Sequence, residues 1–259
     1  MSRVLRLCVL ALLTWGLAAC GGSESSVAIP TPEDPLVLLR QVIANLRQTP
    51  SFRLLIEQRG VPYPFTVTLD QGATYVNATM QRAEAQFLTP ETLYANVRLA
   101  LGGLPPIGVE IFARATDQWF RLAGSGWINY PVAQGFDPGS LIREDSGFST
   151  ALDQLRELAF VELTTLEDGT PVFHIRGLAT GAVINDLLFE LINLQNDNVI
   201  VDVYIEPQRR LPLLLSVVVP DTATNTQGNT EWRIELFDYG REASFSGPLE
   251  ATQAPSEGS

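Results

Sequence analysis

Residues 199–240 read VIVDVYIEPQRRLPLLLSVVVPDTATNTQGNTEWRIELFDYG. Three strand patterns stand in this stretch, at 199–206, 213–219 and 231–239. In the first, Val199, Val201, Val203 and Ile205 fall on every second position; in the last, Trp232, Ile234 and Leu236 do. Successive side chains of a strand point to opposite faces, so each of these strands carries one apolar face. The same period recurs upstream. Phe52, Leu54 and Ile56 alternate with Arg53 and Glu57, Phe65, Val67 and Leu69 with Thr66 and Thr68, and Val109, Ile111 and Ala113 with Glu110 and Arg114. The surroundings of Tyr75, Phe87 and Tyr94 also read as extended. Residues 119–122 and 127–130 flank the turn Ala123-Gly124-Ser125-Gly126, and 161–166 and 172–176 form a hairpin around Glu167-Asp168-Gly169-Thr170.

Three stretches switch to helical spacing. Leu36, Leu39, Ile43 and Leu46 predict a helix that opens at Pro35 and stops at Thr49-Pro50. Phe148, Leu152, Leu155 and Leu158 predict a second over 148–158. Val183, Ile184, Leu187, Leu188, Leu191 and Ile192 predict a third over 181–194. Its apolar face is wide, which suits either a helix buried against a sheet or one roofing an apolar cavity. The element order predicts an α+β fold: a strongly curved antiparallel sheet, a half-barrel, with about three helices packed on its concave face.

The chain has 259 residues and a formal net charge of −12, with 17 basic residues, all arginine, and a single histidine, His174. Such an acidic chain offers no footprint for a phosphate backbone, so no nucleic-acid partner is expected. One histidine argues against His-rich metal sites and a Ser-His-Asp triad. No nucleophile elbow, phosphate loop or metalloprotease motif is present. We therefore expect no enzyme activity, no metal and no cofactor. His174 alternates with Phe173 and Ile175, which predicts a solvent-facing position on the polar strand face.

Residues 1–19 have a charged start, Arg3 and Arg6, and a short apolar run too brief to span a bilayer. Leu17-Ala18-Ala19-Cys20 resembles the bacterial lipobox, in which the cysteine is acylated and becomes the first mature residue. The expected organisation is a lipoprotein signal at 1–19, lipidated Cys20 with a flexible Gly/Ser/Pro tether at 20–35, a folded domain at 36–246, and a disordered tail at 247–259. Lipidated Cys20 would hold the domain on the extracytoplasmic face of the cell membrane.

Ordered motifs then carry a family resemblance. Phe136-Asp137-Pro138-Gly139-Ser140-Leu141 with Glu144-Asp145-Ser146-Gly147-Phe148, the hairpin VELTTLEDGTPVFHIRG at 161–177, VDVYIEPQRRLPLLLSVVV at 201–219, and Phe237-Asp238-Tyr239-Gly240 resemble, in order, segments of the LppX/LprAFG lipoprotein family. Tyr204 stands where that family often has Trp. The resemblance implies a LolA/LolB-like fold, an acylated lipid or glycolipid held between sheet and helices, and carriage within the cell envelope, with an envelope transporter as a further partner. On that reading the lipid lies against Leu152, Leu155, Val183, Leu187, Leu188 and Leu191. A lipid-sensing or chaperone-like regulator that binds a protein partner is the alternative on the same fold.

Overall fold

The computed structural model describes residues 34–69, 74–102, 104–129, 137–188, 194, 198–220, 228–245 and 247–248. Residues Thr31–Ser259 form one compact unit. Cys20, Leu191 and the third helix beyond residue 188 lie outside the described residues.

Twelve strands form one antiparallel sheet that does not close: β1 (Ser51–Gly60), β2 (Pro64–Leu69), β3 (Thr74–Leu88), β4 (Thr92–Leu101), β5 (Ile107–Arg114), β6 (Asp117–Leu122), β7 (Ile128–Asn129), β8 (Arg156–Thr165), β9 (Pro171–Ala179), β10 (Val199–Ile205), β11 (Pro212–Val219) and β12 (Thr230–Phe237). Their order is β7-β6-β5-β4-β3-β1-β12-β11-β10-β9-β8, with β2 on the first half of β3. The first and last strands thus pair at the centre, Leu54 opposite Leu236 and Gln58 opposite Trp232. Irregular register at Met80/Arg82 in β3 and Tyr204/Ile205 in β10 adds bend. β3 pairs with β1 over residues 82–88 and with β2 over 74–79. The sheet therefore forks at Gly60, where the Val61 N–H donates to the Asn229 carbonyl at 3.1 Å.

Alternation explains which face is inside. Phe52, Leu54 and Ile56 of β1, Val199, Val201, Val203 and Ile205 of β10, and Trp232, Ile234 and Leu236 of β12 are all at most 2% exposed. They share one core with the helices α1 (Pro35–Gln48), α2 (Gly147–Asp153) and α3 (Gly181–Ile184), which continues as a 3₁₀ turn, Asn185–Leu188. All three helices cover the same face of the sheet. α1 starts where Asp34 accepts the N–H groups of Leu36 and Val37 and Pro35 fills the first turn. It buries Leu38, Leu39, Val42 and Leu46.

The second helix is shorter than its spacing predicts. α2 ends at Asp153, and residues 156–165 are β8, not helix. Leu155 and Leu158 have the i, i+3 spacing of a helix, but Leu158 and Phe160 are spaced as in a strand, and the ladder to β9, Arg156 opposite Leu178 through Thr165 opposite Pro171 with a register shift between Arg156 and Ala159, satisfies more backbone than another helical turn would. Gly147 opens α2 at φ +54°, where a Cβ would lie 2.3 Å from the Leu141 carbonyl oxygen, so only glycine fits. The third helix tightens after Ile184, and the side chain of Asn185 accepts the Leu194 N–H at 2.8 Å, drawing the chain back toward its start.

Candidate functional site

The space between the helices and the concave sheet is walled by one continuous set of apolar side chains. Leu152 and Leu188 are 0% exposed, Leu187 2% and Leu155 6%, and Val183 is half-buried against the same cluster. Five of the six positions assigned to lipid from the resemblance are thus brought together; Leu191 is not described. At 0% exposure, Leu152, Leu188 and Trp232 of the same cluster border no void wide enough for a water molecule, so the layers are closed on each other.

Two polar atoms interrupt this wall. The Trp232 indole N–H and the Ser149 hydroxyl are buried without a partner. An unpaired donor in an apolar interior costs about 1–3 kcal/mol, and buried indole N–H groups ordinarily find an acceptor. Near Trp232, where the sheet forks, Gln58 and Thr230 both donate to the Val61 carbonyl, at 2.8 Å each. The concave wall therefore turns polar toward the fork. Sequence reading placed Trp232 on the apolar face but held no signal that its N–H would be orphaned.

The outer face carries the charges. His174 is there, as alternation requires, but it is buried at 6% and not solvent-facing. Its Nε2 lies 2.6 Å from Asp202 Oδ1, and its ring stacks on Tyr204 at 4.5 Å. Arg176 completes the group with two bonds to Asp202, from Nε at 2.8 Å and Nη2 at 3.1 Å. The register sets Tyr204 opposite His174 and Asp202 opposite Arg176 across adjacent strands, and it is these neighbours that exclude water from the imidazole. Bonding to Asp202 raises the Arg176 guanidinium further, and burial raises the Tyr204 phenol.

A second outer group lies on the other half of the sheet. Arg121 bonds both Glu110 oxygens, and the Tyr94 hydroxyl donates to Glu110 at 2.7 Å. The Arg121 and Tyr94 bonds hold the Glu110 carboxyl below its usual range, while burial, then the Glu110 bond, pushes Tyr94 up to about 12. Beside them Phe112 and Trp119 form a small outer core. Phe245, returning from the C-terminal segment, stacks on Tyr94 at 5.5 Å and meets Phe112 edge-on at 5.9 Å. Gly247 follows so closely that a Cβ would sit 2.6 Å from the Phe112 ring.

In both outer groups the carboxylate is paired with an arginine, Asp202 with Arg176 and Glu110 with Arg121. Among the described residues no group of three or more His, Cys, Asp or Glu could hold a metal ion, and no helix is long and apolar enough to cross a membrane. A surface pocket of about 380 Å³ lies at the end of α1, lined by Asn45, Gln48, Thr49, Arg209, Leu211 and Tyr239. It is removed from the apolar wall.

A single curved antiparallel sheet with helices on one face is the α+β architecture the resemblance implied. Two solved structures have the same fold. LprF from Mycobacterium bovis aligns with a TM-score of 0.57 at 14% identity, over 85% of this chain and 99% of its own. The lipoprotein LppX from Mycobacterium tuberculosis aligns with a TM-score of 0.52 at 14% identity, over 82% and 99%. The sequence matches no family model and no curated protein.

Proposed function

We propose that this chain is a membrane-anchored extracytoplasmic lipoprotein that takes an acylated lipid or glycolipid between its helices and its sheet and carries it within the cell envelope. The observation that carries the proposal is the predominantly apolar wall between the two layers, on the fold of LprF and the lipoprotein LppX. Moving a sixteen-carbon chain from a bilayer into water costs roughly 13 kcal/mol at ~0.8 kcal/mol per CH₂, so a carrier must replace nearly all of that contact with dry apolar surface. Leu152, Val183, Leu187 and Leu188 supply it from the helical layer, with Leu155, just before β8, and Leu191 as the remaining positions. The Trp232 N–H is the donor for an ester or amide carbonyl at the head of the acyl chain, near the polar end of the wall. Acylated Cys20 keeps the domain at the membrane, and an envelope transporter would hand over or receive the lipid.

The test is to express residues 21–259, extract the purified protein with organic solvent and weigh what is released by mass spectrometry. Stoichiometric acylated lipid is expected. Trp232→Phe should stay folded and retain under a tenth of it, and Leu188→Arg should lose it. A wild type that yields no lipid, even after incubation with bacterial membranes, overturns the proposal.

A further inference from the structure

We propose that the forked end of the sheet is a docking surface for a lipid bilayer. Antiparallel pairing gathers three segments there: the β1–β2 corner with the β2–β3 arm, the β4–β5 loop, and the β6–β7 turn. Among the described residues of 60–81, 99–109 and 122–129, 36 in all, no side chain is charged, where the chain's 18% charged content would place about six. The register makes the segments neighbours. Phe65 faces Ala78, Ala78 faces Leu101, Leu99 faces Ile107, and Val109 faces Leu122. Charge resumes along one line across the strands, at Arg82, Arg98, Glu110 and Arg121.

The tips of this end are apolar and exposed. Leu104 is 65% exposed and Ile107 37%, with Pro105 and Pro106 exposed between them; Leu122 is 50% and Ile128 59% exposed. Several backbone donors at the tips are already used. The Gly102 N–H donates to the Asn77 carbonyl and the Leu104 N–H to the Leu101 carbonyl, and Pro105 and Pro106 have none. At the β6–β7 turn the Ser125 hydroxyl accepts the Leu122 N–H, and the Ser125 N–H donates to the Leu122 carbonyl. Each N–H that is satisfied or absent lowers the desolvation cost of bringing these tips into a water-poor layer.

Charge decides the occupant. A protein partner is ordinarily met through a rim that also carries charge, which the described residues of these segments lack. The chain as a whole is acidic at −12 and is repelled by anionic lipid headgroups, so the uncharged end is the part that can approach a membrane closely. Its inner side is continuous with the interior, since Tyr63, Phe65 and Leu99 pack on the same cluster as Val183.

The experiment uses residues 21–259, which contain the whole compact unit Thr31–Ser259. The protein is floated with vesicles of pure phosphatidylcholine and of phosphatidylcholine with one quarter phosphatidylglycerol. Flotation with the neutral vesicles, unchanged between 0.1 and 0.5 M NaCl and weaker with the anionic ones, is expected. Leu104→Asp combined with Ile128→Asp should reduce the bound fraction at least tenfold without moving the melting temperature, because both sites are more than half exposed. Val161→Asp combined with Leu163→Asp, also exposed on β8, should leave it unchanged. A wild type that stays in the dense fraction, a docking variant that floats like the wild type, or a β8 variant that fails as badly each overturns the proposal. Mass spectrometry of the same samples separates this inference from the carrier proposal: lipid-free protein that floats sustains docking alone, and lipid-loaded protein that does not float sustains carriage alone.

Discussion

Asp202→Ala tests the outer polar group most directly. The carboxylate side chain is 7% exposed and holds three bonds, one with His174 and two from Arg176. Removing one member of a buried charged group costs about 3–5 kcal/mol because the partners stay behind unpaired. The two partners are not equivalent. The Arg176 side chain is 55% exposed and can turn to water; the His174 side chain, at 8%, cannot. The loss is therefore placed at the low end, about 3 kcal/mol, which for a domain of this size lowers the melting temperature by about 6–12 °C. Urea unfolding followed by tryptophan fluorescence measures it. Arg176→Ala should cost only about 1 kcal/mol, since it leaves the His174 contact intact. A double-mutant cycle between His174→Ala and Asp202→Ala should return a coupling of about 1–2 kcal/mol. The loss should not change between 0.1 and 1 M salt, because a buried pair is poorly screened. An Asp202→Ala variant less than about 1 kcal/mol destabilised would mean that His174 and Asp202 are not joined in a dry environment, and the account of the outer face would fall.

Other outcomes follow from the same geometry. Tyr94 is held protonated to about 12, above the ~10 of an unfolded tyrosine, so its share of stability is whole below pH 10 and is lost as pH rises toward 12. Absorbance at 295 nm, wild type minus Tyr94→Phe, should show that late ionisation, and Glu110→Gln should move it earlier. Glu110 has the opposite sign: its lowered carboxyl contributes stability above the unfolded value of about 4.3 that disappears as pH falls through the folded one, which acid unfolding of Arg121→Ala against wild type will reveal. Gly181→Ala would set a Cβ 2.3 Å from the Leu194 carbonyl oxygen, so the return of the chain to α3 must open; hydrogen exchange should quicken at residues 181–188 more than in the strands. Phe245→Ala removes the ring between Tyr94 and Phe112 and should cost about 2–3 kcal/mol, with a red shift of tryptophan emission as Trp119 meets water.

The strands were legible because a period of two is hard to imitate: β1, β5, β10, β11 and β12 lie where Phe52, Ile111, Val201, Leu215 and Ile234 set them. The second helix was not, because the i, i+3 spacing of Leu155 and Leu158 reads as helix, and the irregular register between Arg156 and Ala159 that accommodates it in β8 is set by pairing with the distant β9. His174 shows a different limit. Its face was readable from Phe173 and Ile175, but its burial depends on Asp202 and Tyr204, residues of another strand whose register no local pattern discloses. The outer aromatic group did leave a trace, since Phe112 and Trp119 occupy the phase that Glu110 and Arg121 mark as polar. For the site, the residue types were legible in Leu152, Leu187 and Leu188, and their closing on the sheet was not. A lipid-facing leucine and a core leucine have one and the same sequence signature.

The pairing of β1 with β12 also sets a timetable. Strands β3 to β7 form one run of sequential antiparallel neighbours and β8 to β12 another, the longest connection within them being residues 180–198, which carry α3. The seam between them joins residues 53–60 to 230–237, almost the full length of the folded chain. Closing so long a loop is entropically slow, so the two halves can zip early while the seam waits. A chain emerging N-terminus first must hold β1, with Phe52, Leu54 and Ile56, unmatched on one edge until its last strand appears. Loss of β12 by truncation would therefore leave a long apolar central strand open to pairing with other copies, and aggregation, not a smaller folded domain, is what such a fragment should yield.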